Sequence, residues 1–251
     1  MDRFAGRNVV VTGGNSGIGL ATARAFAQEG ARVAIVGRDP RTLADAARTV
    51  GPGTVAVRAD LGSLSEIERA MSEIAAAMGT VDVLFANAGT GGMIPIEQVD
   101  EPLWDAIIDL NVKGTYFTVQ KCLPMMTAGA AVVLCSSASA ERSMPGASVY
   151  AASKAAVNSI GRSLGGELAG RGIRVNVVVP GGVDTPILRR TPGVPPEEAD
   201  AVYAQMAAGT PMRRIGRPEE VAAAVLFLAS SEASYVTAAA FHVDGGIVGA
   251  T

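Results

Sequence analysis

The sequence predicts an α/β fold, a single domain on a doubly wound parallel sheet of seven strands with helices on both faces. Three observations predict it. Seven short β-branched runs recur along the chain, with Ala-rich helical stretches between them. The runs are apolar on both faces, the pattern of parallel strands covered from each side. The connections are short, so strand and helix alternate as in βαβ units, and right-handed crossovers restrict the topology. In such sheets ligands bind beyond the carboxyl ends of the strands.

Composition agrees. Residues 1–251 form one domain's length, with 49% hydrophobic and 18% charged residues, so the chain is globular rather than disordered. The net charge of -3 argues against nucleic acid or an anionic membrane as the main partner. No apolar run reaches the ~18 residues a membrane span needs. The start has no long apolar segment, so no secretory signal is expected and the expected setting is cytoplasmic. Cys122 and Cys135 belong to no Cys/His cluster, so no metal site is expected, and both read as small buried hydrophobes.

The first strand, "NVVVTG" (8–13), runs into "TGGNSGIG" (12–19) and then a helical stretch. Gly13, Gly17 and Gly19 let the backbone turn and approach a ligand closely. With Asn15, Ser16 and Ile18 they lead into a helix whose free N–H groups and positive dipole end suit a pyrophosphate. The spacing is T-G-x-x-x-G-x-G rather than G-x-G-x-x-G.

The second strand, "ARVAIVG" (31–37), is followed by Arg38, where an acid would favour the free 2′-hydroxyl of NAD. A guanidinium there can pair with a 2′-phosphate. Such a contact is worth about 1.5–3 kcal/mol, or about 10- to 100-fold in preference. NADP(H) is therefore expected over NAD(H), although Asp39 beside it opposes that preference. The third strand, "TVAVRAD" (54–60), ends on Asp60, an acceptor for an adenine amino group, with Leu61 beside it. The fourth, "VDVLFANAG" (81–89), ends on Asn87, Ala88 and Gly89, small enough for a ribose or adenine to lie close; turn chemistry alone accounts for these two strand ends equally well.

The fifth strand, "AAVVLCSS" (130–137), places Ser137 at its carboxyl end, and Tyr150 and Lys154 open the next helix. Four residues apart, they share a helical face. Asn111 lies in the helix before this strand. A tyrosine hydroxyl can give a proton to a carbonyl oxygen or take one from an alcohol, and a neighbouring ammonium favours the phenolate. A serine can hold the reacting oxygen as an oxyanion donor does. These residue types read as general acid–base catalysis beside a hydride carrier.

The sixth strand, "RVNVVVPGG" (174–182), precedes a segment (184–216) with five prolines and several charges, read as a lid over about 186–215 or as a surface excursion with a short helix. The seventh strand, "AAFHVDGG" (239–246), carries the only histidine, His242, which reads as a packed strand residue. Trp104 reads as a core or interface anchor, and the arginine pairs at 189–190 and 213–214 as solvated lid charges or as groups that meet an anionic substrate. Met144, Ile187 and Leu188 read as lining an apolar substrate pocket, or as core and lid packing. Ser139 in the 138–149 loop and Gly182 join the substrate-side candidates, with Ser137 and Tyr150.

The chain resembles the short-chain dehydrogenase/reductase family over essentially its whole length. "TGGNSGIG", "ANAG", Asn111, Ser137, "YAASK", "PGGVDT" and the terminal "VDGG" carry the resemblance, and Ser137 stands the family's usual distance before Tyr150. The family's more usual "NNAG" has Ala86 in its first place here. The resemblance implies a Rossmann-type fold and a tetrad of Asn111, Ser137, Tyr150 and Lys154. It implies that the Asn111 backbone carbonyl helps hold a water joined to Lys154, that Lys154 and Tyr150 meet the nicotinamide ribose, that Pro180 and Gly181 lie along the ring, and that Val183 and Thr185 complete that side. It also implies a homotetramer built partly from helices near residues 101–125 and 150–170. The expected activity is NADP(H)-dependent interconversion of a ketone or aldehyde with a secondary or primary alcohol. The alternatives are a 3-oxoacyl-thioester (acyl-carrier-protein) reductase and, from another class, a non-catalytic nucleotide-sensing regulator.

Overall fold

The computed structural model describes residues 2–142 and 144–250. Its seven strands, β1 (Asn8–Thr12), β2 (Arg32–Gly37), β3 (Val55–Arg58), β4 (Val83–Ala86), β5 (Ala131–Cys135), β6 (Arg174–Pro180) and β7 (Ala240–Val243), pair in parallel in the order β3-β2-β1-β4-β5-β6-β7. Strand order reverses between β1 and β4, which are direct neighbours. Connections leaving these two strands go opposite ways, and that opens a crevice at their carboxyl ends.

Side chains alternate between two cores. Val10, Ala34, Val36 and Leu84 face α3 (Leu64–Met78), α5 (Thr115–Cys122) and α6 (Ser148–Ala169). Val9, Val11, Ile35 and Phe85 face α1 (Gly17–Gln28), α2 (Pro40–Val50) and α8 (Pro218–Ala229). The central strands are thus apolar on both faces, as expected. The outer strand β7 departs from that pattern: Ala240, Phe241 and His242 are exposed. β7 has only β6 as a neighbour, and α8 covers it in part, Phe227 meeting Phe241 at 6.1 Å between ring centroids. His242 is correspondingly paired with Glu141 at 3.0 Å instead of packed in the core. Trp104, on α4 (Glu101–Ile108), is 48% exposed and belongs to neither core.

Local signals set the helix starts. Asp39 accepts from Thr42 N (2.8 Å) ahead of Pro40, and Asp100 accepts from Leu103 N (2.9 Å) ahead of Pro102. Helix α6 lies unusually close to the sheet because it carries glycine there: a Cβ on Gly161 would stand 2.2 Å from Val177, and one on Gly165 2.7 Å from the Ala238 backbone. That closeness brings the start of α6 to the end of β5.

The segment after β6 is a closed excursion. Its two ends pair, Asp184 N donating to Gly216 O (2.9 Å) and Gly216 N to Gly182 O (2.8 Å). It contains α7 (Ala199–Gly209) and a small core of its own made by Leu188, Ala199 and Tyr203. Among the described residues no helix is long and apolar enough to cross a membrane.

Candidate active site

Thr12 ends β1, and its buried hydroxyl accepts from the amides of Asn87 (2.9 Å) and Ala88 (3.0 Å) at the end of β4. Asn87 Nδ2 returns a bond to Thr12 O at 3.0 Å. The two strand ends beside the crevice are thereby tied. The glycine loop then turns over them. Gly13 has φ +64°, and a Cβ there would meet Asn87 Nδ2 at 2.9 Å. Gly17 has φ +52°, and its missing side chain makes room for Thr185. Asn15 Nδ2 already donates one of its two N–H groups to Thr42 Oγ1 at 2.9 Å.

These elements wall a cleft of about 1150 Å³. Gly13, Asn15, Ser16, Gly17 and Ile18 form one side, with Arg38, Asp60, Leu61, Asn87, Ala88, Gly89 and Thr185 around it. Gly19 does not line the cleft. A Cβ there would stand 2.2 Å from Gly13 O, so this glycine serves the packing of α1 under the loop. At the outer end, Arg38 stands 3.8 Å from Asp60, both well exposed. Such a surface pair is worth little, roughly 0–1 kcal/mol, and leaves both groups available. Asp39 turns away to cap α2, and hydrogen bonds from the backbone and side chain of Thr42 hold its carboxyl below the usual range. The sequence reading missed Arg41 and Thr42 in this corner; their place in the first turn of α2, behind a capping aspartate and a proline, was the available signal.

A smaller pocket of about 120 Å³ adjoins the cleft and shares Ile18, Asn87, Gly89, Thr90, Thr185 and Ile187 with it. Ser137, Tyr150, Lys154, Pro180, Gly181 and Val183 line it, as do Cys135 and Ser136. The strand end and the helix start are bolted together there. Lys154 Nζ donates to Cys135 O (3.0 Å), and Ser136 Oγ donates to Lys154 O (2.9 Å). Lys154 is 5% exposed, and its Nζ lies 5.9 Å from the Tyr150 ring centroid. A Cβ on Gly89 would stand 3.2 Å from that Nζ, so the amine fits because residue 89 has no side chain. An ammonium has three donors, so the Cys135 bond leaves capacity for a ligand.

Asn111 is fully buried in a π-helical turn, Asp109–Gly114, between α4 and α5. Its Oδ1 accepts from Thr90 N (2.9 Å), and its Nδ2 donates to Thr90 O (3.0 Å) and Ser153 Oγ (3.0 Å). Ser153 Oγ in turn donates to Tyr150 O at 2.7 Å. The Asn111 side chain is therefore structural, joining the loop after β4 to the first turn of α6. Thr90, Ser136 and Ser153 were missed in the sequence; each is adjacent to a recognised residue, and only the fold shows what its hydroxyl reaches.

The substrate-side candidates divide. Ser137, Tyr150 and Ile187 line the small pocket, and Ser139, Met144, Gly182 and Leu188 do not. Ser139 N is turned onto Ser137 Oγ at 3.1 Å. Met144 is exposed on its loop. Gly182 lies against Ile215 and Met206 of the 184–216 segment. Leu188 is buried in that segment's own small core. Both cysteines are buried and apolar in behaviour: burial pushes the Cys122 thiol up to about 12, and burial raises Cys135 against the opposing charge of Lys154.

A glycine loop at a strand-order reversal, beside a pocket lined by Ser, Tyr and Lys, is the arrangement of a Rossmann-type dinucleotide-dependent oxidoreductase. Residues 13–248 match the family described as enoyl-(acyl carrier protein) reductase. The chain is 40% identical to cis-4-hydroxycyclohexanecarboxylate dehydrogenase of Sinomonas cyclohexanicum, over 98% of each chain. Its fold matches a solved short chain dehydrogenase/reductase family protein at 38% identity and TM-score 0.84, covering 98% of this chain and 99% of that one. It matches 3-ketoacyl-(acyl-carrier-protein) reductase from Brucella melitensis, complexed with NADH, at 31% identity and TM-score 0.89, covering 97% and 99%. The chain belongs to the short-chain dehydrogenase/reductase family, whose members use NAD(P)(H) and act on alcohol and ketone groups.

The Thr12 tie yields a prediction independent of any ligand. Thr12→Val keeps the shape and strands two amides, so urea unfolding should show a loss of about 1–3 kcal/mol. Asn15→Ala, at the outer edge of the loop, should cost less. Equal stability of the Thr12 variant and the parent chain would contradict the role given to the hydroxyl.

Proposed function

We propose that this chain is an NADP(H)-dependent reductase and dehydrogenase that interconverts a ketone or aldehyde with the corresponding alcohol, with Tyr150 as its acid and base. The observation that carries the reading is the clamp between Lys154 and the end of β5, which sets Tyr150 and Ser137 in one small pocket beside the large cleft. The cleft fits a dinucleotide. Side chains are missing where a backbone or ribose must come close, at Gly13, Gly17 and Gly89, and the start of α1 offers unpaired N–H groups.

The bound coenzyme supplies or accepts hydride at the substrate carbon. In reduction, Ser137 Oγ donates a hydrogen bond to the substrate carbonyl oxygen and positions it. Tyr150 gives its hydroxyl proton to that oxygen as the carbon gains hydride, and the alcohol leaves. Lys154⁺ stabilises the phenolate left on Tyr150, and Lys154, joined to a water held by the Asn111 backbone carbonyl, relays a proton from solvent back to it. Oxidation runs the same steps backwards. The ordering of α6 by Ser153 and Ser136 matters here because proton transfer requires hydrogen-bond reach, ~2.6–3.2 Å between heavy atoms.

Arg38 supports NADP over NAD. It is 76% exposed at the mouth of the cleft, with Asp39 directed away into its helix cap. The Asp60 carboxylate beside it weakens the preference without abolishing it.

A second reading, reduction of a 3-oxoacyl thioester, is favoured by the 3-ketoacyl-(acyl-carrier-protein) reductase among the similar structures. A panel of free ketones, an acetoacetyl thioester and an enoyl thioester separates the readings; turnover of thioesters alone would displace the ketone reading. The homotetramer stays with this proposal, and a 25.5 kDa species in sedimentation equilibrium would remove it.

Tyr150→Phe should lower kcat by about 10²- to 10⁴-fold while NADPH still binds; near-parent turnover would end the acid–base assignment. Arg38→Ala should raise the NADPH KM by about 10-fold or more and leave the NADH KM nearly unchanged. Equal changes for both coenzymes would refute the 2′-phosphate role.

A further inference from the structure

The lid carries one guanidinium that the steps above leave without a task. Leu188–Arg190 is a 3₁₀ turn, in which residues three apart eclipse one another. Leu188 is buried against Ala199 and Tyr203. Ile187 and Arg190, three apart, both line the large cleft, and Arg190 N donates to Ile187 O at 3.0 Å. The backbone beneath is fixed. Thr191 Oγ1 donates to Ile187 O (2.9 Å), Thr191 N to Leu188 O (3.1 Å), and Met93 N to Pro192 O (2.9 Å).

The other arginines of the segment have partners. Arg189 binds Asp200 (2.6 Å), Arg213 the carbonyl of Ala208 (2.6 Å), and Arg214 binds Glu220 (2.7 Å). Arg190 has neither an ion pair nor a side-chain hydrogen bond among the described residues. The carboxylates that share the cleft wall with it are engaged elsewhere. Asp39 holds Thr42 N, Asp60 holds Gly62 N, Glu66 holds Asp60 N, and Asp109 holds Lys113. A guanidinium on an anchored turn, lining a cleft in which none of these carboxylates pairs with it, is placed to receive an anion from outside the chain.

We propose that Arg190 binds an anionic oxygen group of a molecule held in the cleft, a phosphate or a carboxylate. Two sources have that chemistry: the pyrophosphate of the coenzyme, and an acidic group on the substrate. The first follows from the wall itself, since Thr185 of the same segment sits against Gly17 at the start of α1. The second follows from Ile187, which lines the cleft and the small pocket alike. The proposal rests on the dinucleotide reading of the cleft given above.

The test compares Arg190→Ala with Arg189→Ala, the neighbouring arginine that is already paired. NADPH binding is measured by nicotinamide fluorescence without substrate, and kcat/KM is measured for a neutral ketone and a ketone bearing a carboxylate. If the coenzyme supplies the anion, the NADPH Kd rises about 10-fold or more in Arg190→Ala, stays near the parent value in Arg189→Ala, and is partly restored in Arg190→Lys. If the substrate supplies it, the Kd is unchanged and kcat/KM falls about 10-fold for the acidic ketone alone. Arg190→Ala behaving like Arg189→Ala in both arms, with NADPH binding intact, overturns this inference and leaves the coenzyme reading standing. A parent protein that binds no NADPH overturns both.

Discussion

One buried hydroxyl joins the two halves of this molecule. Thr12 Oγ1 holds the amides of Asn87 and Ala88, so the end of β1 and the end of β4 cannot part. Strand order reverses between those strands, and the crevice left by the reversal is the cleft. Two of its walls hang from that tie: the glycine loop continues from β1, and the small residues 87–89 continue from β4. Two amide donors at a crevice floor would otherwise need water, and losing a partner for a buried polar group costs about 1–3 kcal/mol.

A second lock builds the small pocket. The Lys154 amine bonds the carbonyl of Cys135 while the Ser136 hydroxyl bonds the carbonyl of Lys154. The bonds run in opposite senses between one strand end and one helix turn, so they fix both separation and rotation. Asn111 and Ser153 extend the lock to the loop after β4 and to the Tyr150 carbonyl. The side chains of Asn111, Ser136 and Ser153 reach Tyr150 and Lys154 through hydrogen bonds that end on their backbone carbonyls. Their part is to remove slack between a serine on a strand and a tyrosine on a helix, a slack that neither element could remove alone.

The strands, their order along the chain and the Ser137–Tyr150–Lys154 pocket were legible in the sequence, because buried parallel strands and an ordered motif leave local marks. Facing was not. Ile187 and Leu188 are adjacent apolar residues, yet a 3₁₀ turn sends one to the cleft and the other into the lid core. "AAFHV" reads like the strands before it, but β7 is the outermost strand and its side chains stay open. Gly19 looked like part of the ligand cradle and instead clears the Gly13 carbonyl. Arg38 and Asp60 were assigned to separate parts of a coenzyme, and the sheet brings them to 3.8 Å. In each case the deciding fact is a contact between distant positions, which no local pattern records.

The central claim is that the cleft and the small pocket act as one site, so that hydride and proton reach one carbonyl together. The most direct measurement uses NADPH carrying deuterium at both C4 positions of the nicotinamide, a ketone substrate and ordinary water. The account predicts one deuterium on the carbinol carbon of the alcohol and none on its neighbours. Protium at that carbon, with the label retained in the coenzyme or lost to water, would contradict it.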